Sequence, residues 1–315
     1  MSAVVSTPTD LVADQLATAK PASLWRDTIA NILRQRNAQI GLVILAILVF
    51  FAVFADQLAA FGSDDVLLGH EEGVKRLSAP CIHLLGCPTT QVEHFFGLDG
   101  NARDEFSRVI HGARISLWIG FVTVGFAIVI GSLIGLVAGY AENALDTILM
   151  RTMDIILVFP SLLLAIAIVA ALGPSLLNAQ IAIGIVAIPI YARVMRASVL
   201  SVKENGFVTA SRALGEGASG LIFRRILPNA ITPIIVTGTL GIATAVLEVA
   251  ALSFLGLGAQ PPLAEWGSMI GLDRKYLFTA AHLILFPGLF LSMTVFGFNL
   301  LGDGLRDALD PRLNR

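Results

Sequence analysis

Between Arg114 and Glu142 the chain reads ISLWIGFVTVGFAIVIGSLIGLVAGYA, residues 115–141, 27 consecutive positions without a charge. A bilayer core takes about 20 apolar residues per helix, so this run can cross a membrane with some tilt to spare. Within it Gly131, Gly135 and Gly139 stand four apart. On a helix they form one stripe of small residues along which a second helix can come close. We read the stripe as a contact inside this chain rather than between two copies of it.

Working outward, charge-free windows recur. Gln39 to Ala55 ends at Asp56, and Ile155 to Ala192 extends over 38 residues. That length holds two spans, and Gly173-Pro174-Ser175 supplies turn chemistry between them. A fifth span begins near Ile231 and reaches about Leu255 with Glu248 inside it, and a sixth lies between Lys275 and Asp303. The expectation is an all-α integral membrane protein with about six transmembrane helices. Composition agrees: 56% of residues are hydrophobic, 14% are charged and the mean hydropathy is +0.80, against about a quarter charged in a soluble domain. A net charge of −2 argues against nucleic acid as a partner and leaves lipid as the main surroundings.

Lys and Arg set the orientation. With the amino terminus inside, inner segments hold 14 of them and outer segments 7, which places both termini in the cytoplasm. The division that follows is a cytoplasmic tail (1–38), a first span (39–60), an extracytoplasmic segment (61–114), a five-helix membrane core (115–305) and a cytoplasmic tail (306–315). The first span does not read as a cleaved leader, since it starts after 38 residues and has no convincing small-residue cleavage pattern.

The outer segment is expected to end in an amphipathic helix capped by Asn101, with Asp104 at its third position. Phe106, Val109, Ile110 and Ala113 share one face, which would rest along the outer membrane surface. Cys81 and Cys87 are the only cysteines; outside the membrane they read as a local disulfide. His83 and His94 add a Cys-x-His-x3-Cys-x6-His order, which matches no common zinc spacing. His70-Glu71-Glu72 opens like a metalloprotease helix, but Val74 stands where the second His belongs. No catalytic group is assigned. Glu248 and Asn299 are the polar groups within spans and are candidates for a translocation path; a Glu248 neutralised inside the bundle is the other reading.

The inner loop from Tyr191 reads YARVMRASVLSVKENGFVTASRALGEGASGLIFRRILPN. Phe207, Ala210, Ser211 and Leu214 fall on one face of a short helix, and Gly215 can end it in the left-handed conformation. A second short helix runs to Pro228, where the chain re-enters the membrane. Such a knob is too small to fold alone and suits a groove on a cytosolic protein, though periodicity alone does not separate it from an ordinary basic loop.

Those residues resemble the coupling motif of ABC importer permeases. Thr209-Ala210-Ser211 stands where the family has Glu-Ala-Ala, followed by Gly215 and then by Ile226 and Leu227-Pro228. Three further stretches resemble the second (C-type) permease of the dipeptide/oligopeptide/nickel class: GLDGNARDEFSRVIHGARISL from Gly97, LEVAALSFLGLGAQPPLAEWG from Leu247, and FPGLFLSMTVFGFNLLGDGLRDALDPRL from Phe286. The branch usually has Gly where Ala102 stands. The resemblance implies a type I ABC importer permease fold with a coupling loop over residues 199–228, in a prokaryotic cytoplasmic membrane. It implies a heterodimer with a second permease, two cytosolic ATPase subunits on the coupling helices and an extracytoplasmic substrate-binding protein. The cargo would be di- or oligopeptides, with nickel or another small solute as the alternative. No cofactor is expected on this chain; ATP and Mg belong to the ATPases, since no Gly-Lys dipeptide of a phosphate loop occurs here.

Overall fold

The structure, a computed structural model, describes residues 35–70, 74–89 and 91–309. Most of both expected tails, with Glu71 and Glu72, lie outside the described residues. Among the described residues the chain is helical with no named strand: α1 (Arg36–Val53), α2 (Glu105–Ala141), α3 (Ala144–Val158), α4 (Ser161–Leu172), α5 (Leu176–Lys203), α6 (Gly206–Ala213), α7 (Thr232–Phe254), α8 (Trp266–Asp273) and α9 (His282–Leu309), with a few shorter helical turns between them. The helices α1, α2, α5, α7 and α9 are each long and apolar enough to cross a membrane.

The third expected span is not a straight helix. α3 and α4 meet at Phe159-Pro160 and are bent by 93°. Alone, α4 spans about 18 Å at 1.5 Å per residue, short of the roughly 30 Å hydrocarbon core. Pro160 lacks the N–H that would continue the ladder and disfavours helical backbone at Phe159, which is extended at φ −85°, ψ 139°. The expected turn after α4 is present: Gly173 has φ +94°, and the Ser175 hydroxyl caps α5 by accepting from the Asn178 N–H at 3.1 Å.

The separate surface helix expected before the second span does not form. α2 runs unbroken over 37 residues, about 55 Å, because no Gly-Pro or turn signal separates Ala113 from Ile115. Val109, Ile110 and Ala113 are buried in the bundle instead of resting on lipid. Its cap is Asp104 rather than Asn101. The Asp104 carboxylate accepts from the Ser107 N–H at 2.8 Å and the Ser107 hydroxyl at 2.7 Å, while its other oxygen meets His94 Nδ1 at 2.9 Å.

α2 and α5 form the central pair, and the glycine stripe is where they meet. A side chain at Gly131 would strike Tyr191, one at Gly135 would strike Met195, and one at Gly139 would strike Val199. All three are contacts within the chain. α1 closes on α9 in the same way, with Gly41 against the Gly297 carbonyl and Gly304 against Ala38.

The loop ahead of α2 contains a conformational cost. Asp99 organises it, accepting from the Asn101 and Arg103 N–H groups at 2.8 and 2.9 Å and pairing with the Arg103 guanidinium. This leaves Ala102 at φ +60°, fully buried. An L-residue with a Cβ costs about 1–2 kcal/mol there, and glycine does not. Ala102→Gly should therefore stabilise the chain by about 0.5–1 kcal/mol after the unfolded-state entropy is counted, seen as a higher melting temperature in detergent. A lower one would mean that the buried methyl group contributes more than the backbone strain costs.

Candidate functional site: a knob at one end of the bundle and a cavity at its centre

The knob is built by two capping events. Asn205 closes α5, its side-chain amide donating to the Val202 carbonyl at 3.2 Å, and α6 starts at the next residue. Gly215 then ends α6 at φ +84°. Its N–H donates to the Arg212 carbonyl and the Glu216 N–H to the Ser211 carbonyl, both near 3.0 Å, the paired bonds of a glycine helix stop. The chain returns through a π-helical turn, Leu221–Ile226. That turn widens the helix just before Pro228, which cannot donate to it. An Arg225–Glu216 ion pair at 3.0 Å ties the two arms together.

Which side of α6 faces inward was not visible in the periodicity. Val208, fully buried, is the residue that seats the helix, in a small core with Val199, Leu221, Ile226 and Ala230. The expected face points away from the bundle. Phe207 is 45% and Leu214 89% exposed, Thr209, Ala210 and Gly215 are exposed, and Ser211 is partly so. In the return arm Ile226 is buried, Leu227 half-buried and Pro228 exposed.

At mid-bundle lies a cavity of about 330 Å³ between α2, the α3–α4 break, α5 and α7. Glu248 lines it and accepts a 3.0 Å hydrogen bond from the Ser161 hydroxyl, the first residue of α4. α7 offers Thr237, Gly241, Thr244 and Glu248 to the cavity at helical spacing. Thr123 and Tyr191 face them from α2 and α5. Asn299 is exposed on α9 and is not among the lining residues, so the structure does not bring the two candidate path residues together. The threonines, Ser161 and Tyr191 were missed in sequence; the polar positions 237, 244 and 248 at helical spacing inside an apolar span were the available signal.

α5 joins the two features. Ile183 to Tyr191 wall the cavity, and Lys203, at the knob end, donates to the Tyr140 carbonyl at 2.9 Å and pairs with Glu142 at 3.0 Å. Arg196 grips Asp146 of α3 through two 2.6 Å bonds. The braced helix that walls the cavity therefore runs on to the base of the knob.

Residues 131–315 match the family described as binding-protein-dependent transport system inner membrane component. The dipeptide transport system permease protein DppC of Alkalihalophilus pseudofirmus is 44% identical over 300 residues, 95% of this chain and 93% of that protein. This chain belongs to the binding-protein-dependent transport permeases. Residues 23–78 match the N-terminal transmembrane domain of oligopeptide transport permease C. The di/tripeptide permease protein DppC of Pseudomonas aeruginosa is 45% identical, covering 87% of each chain. The glutathione transport system permease protein GsiD of an Escherichia coli strain is 39% identical over 92% of this chain and 91% of that protein. Among solved structures, inward-facing conformations of the MetNI methionine ABC transporter align over 64% of this chain and 97% of that one. The TM-score is 0.53 at 21% identity, a likeness of fold. The permease is thus a multi-pass inner-membrane protein of type I importer fold that works with a partner permease, an ATPase and a substrate-binding protein.

The other end of the permease, opposite the knob, carries a dense polar shell. Cys81 and Cys87 are joined as a disulfide, and the Cys81 backbone pairs in both directions with His94. His94 in turn holds Asp104, so the disulfide loop is braced against the α2 cap. Among the described residues no group of His, Cys, Asp or Glu is placed to hold a metal. Arg108, buried, donates to the Ser63 carbonyl at 2.6 Å and lies 3.7 Å from Asp99. Burial pushes the nearby Asp273 carboxyl up to about 6, with the Asp99 charge adding to the effect. Glu265 caps α8 by accepting from the Gly267 and Ser268 N–H groups at 3.0 and 2.8 Å; burial raises its carboxyl, and these bonds oppose the rise.

Proposed function

We propose that this permease imports di- or oligopeptides as one half of a heterodimeric pore, driven by two cytosolic ATPase subunits that dock on α6. Its cargo would be delivered by an extracytoplasmic binding protein. The observation that carries the reading is the 44% identity to a dipeptide permease across 95% of the chain. The relatives reported above are named for dipeptides, di/tripeptides and glutathione, which favours peptides over nickel. The excess of Lys and Arg in the segments expected at the knob end supports a cytoplasmic position for that end and for both termini.

The mechanism follows from the braced helix. Phe207 and Leu214 offer apolar anchors for a groove on the ATPase, and Thr209 contributes a hydroxyl where the family has a carboxylate. Movement of α6 passes into α5 at Lys203, and Tyr191 lies about 18 Å further along the same rigid helix. Displacing that wall against α7 opens or closes the cavity at Glu248, which we place on the translocation path. ATP and Mg act at the ATPases; this chain supplies the lever and the conduit.

Co-purification with the neighbouring transport subunits tests the docking. The native permease should carry along a second permease and ATPase subunits. Ala210→Glu places a charge on the exposed face of α6, and Gly215→Pro cannot adopt φ +84°. Both should lose the ATPases. Equal ATPase recovery with both variants, or recovery of this chain alone in its native form, would exclude the coupling role.

A further inference from the structure

Glu248 stands out among the groups lining the central cavity: of the residues that wall it, this is the only one with a carboxylate, and none carries a positive charge. It accepts from a neutral hydroxyl, Ser161 Oγ at 3.0 Å. A carboxylate held inside a membrane bundle without a cation is costly unless something completes it. A second observation points the same way. Thr123, 1% exposed, lines the same cavity with a hydroxyl that has no hydrogen-bond partner. Buried hydroxyls normally find one. A volume of about 330 Å³ sits at the small end of the range for small-molecule sites.

We propose that Glu248 is the point at which the permease recognises the α-ammonium group of its cargo, so that the pore itself, and not the binding protein alone, favours solutes with an unmodified amino terminus. An ammonium offers three N–H donors and the missing charge. It can sit on the carboxylate oxygens that Ser161 leaves open, while Thr123, Thr244 and Tyr191 provide hydroxyls for the amide that follows. The inference rests on the peptide-importer reading above and adds to it the chemical feature selected.

The test uses the assembled importer, with its partner subunits and binding protein, in liposomes. Uptake of dialanine is compared with that of propionyl-alanine, its analogue without the ammonium group, for the native chain, Glu248→Gln and Glu248→Asp, each normalised to assembled complex. Gln keeps an oxygen that can accept from Ser161, so it preserves the brace on α4 and removes only the charge. The native importer should prefer dialanine. Glu248→Gln should lower that preference about 10- to 100-fold, the usual worth of a hydrogen bond to a charged group, and Glu248→Asp should restore most of it. An unchanged preference in Glu248→Gln sinks the recognition role while leaving peptide import intact. If the native importer moves neither solute, the peptide-importer reading falls and this inference with it.

Discussion

Gly135→Leu is expected to prevent the bundle from closing. A side chain at 135 meets the Ala192 carbonyl, Met195 Cβ at 2.8 Å and the Arg196 backbone nitrogen at 2.9 Å. Two of those three are backbone atoms of α5, which cannot turn aside as a side chain can. Overpacking a core costs about 1–3 kcal/mol when neighbours can adjust; against a rigid helix the cost should reach about 3 kcal/mol or more. The α2–α5 contact also carries the path from knob to cavity, so function and stability should fail together. Thermal unfolding of the detergent-purified chain reads the effect. A melting temperature equal to that of the native chain would show that the two helices do not meet along 131, 135 and 139.

The second large effect is Trp266→Ala. Trp266 is fully buried, its indole N–H donates to the Val109 carbonyl at 3.0 Å, and its ring lies 5.9 Å from that of Phe290. It thereby fastens α8 to α2 and α9 at the end opposite the knob. Gly112 and Gly267 make room for this contact, the first beneath the indole and the second against the Ala250 backbone. Truncating a buried aromatic of this size costs about 3–5 kcal/mol. Trp266→Phe should cost much less, since most of the ring volume stays and chiefly one hydrogen bond, about 1 kcal/mol, is lost. Denaturant unfolding followed by circular dichroism separates the two. Equal losses would place the value of Trp266 in its N–H rather than in its bulk.

Several elements were legible before any fold was known, for identifiable reasons. Charge is expensive in lipid, so charge-free windows marked the crossings and their order, and the window 115–141 lies wholly inside α2. Gly215 was readable as a helix stop because few other residues accept its backbone conformation. The glycine stripe marked a close helix contact because nothing larger fits at that separation. The coupling loop and the three C-type stretches carried the family, which the match over 131–315 now shows.

Other features depended on partners distant in sequence. Pro160 lies in an uninterrupted apolar run, and hydropathy carries no angle, so a 93° break looked like a straight span. Asn101 and Asp104 have equivalent capping chemistry. Asp104 caps α2 because the backbone pairing of Leu98 with Asp104, and His94 beyond it, holds that carboxylate at the helix start. Val208 sat one position away from the face that looked apolar. It became the anchor because α5 and the return arm supply Val199, Leu221 and Ile226 to cover it. The cavity is the clearest case. Glu248, Ser161, Thr123 and Tyr191 come from four helices, and no local pattern could gather them.

By itself the sequence determined the membrane class, the order of the long apolar helices, the glycine stop of the knob and the family. These depend on solvent preference and backbone conformation, which act residue by residue. Only the tertiary structure decided how α3 and α4 bend, which residue seats the knob and which side chains face the cavity. Those depend on contacts between segments far apart in sequence, 87 residues in the case of Ser161 and Glu248, and such contacts exist only once the helices have closed on one another.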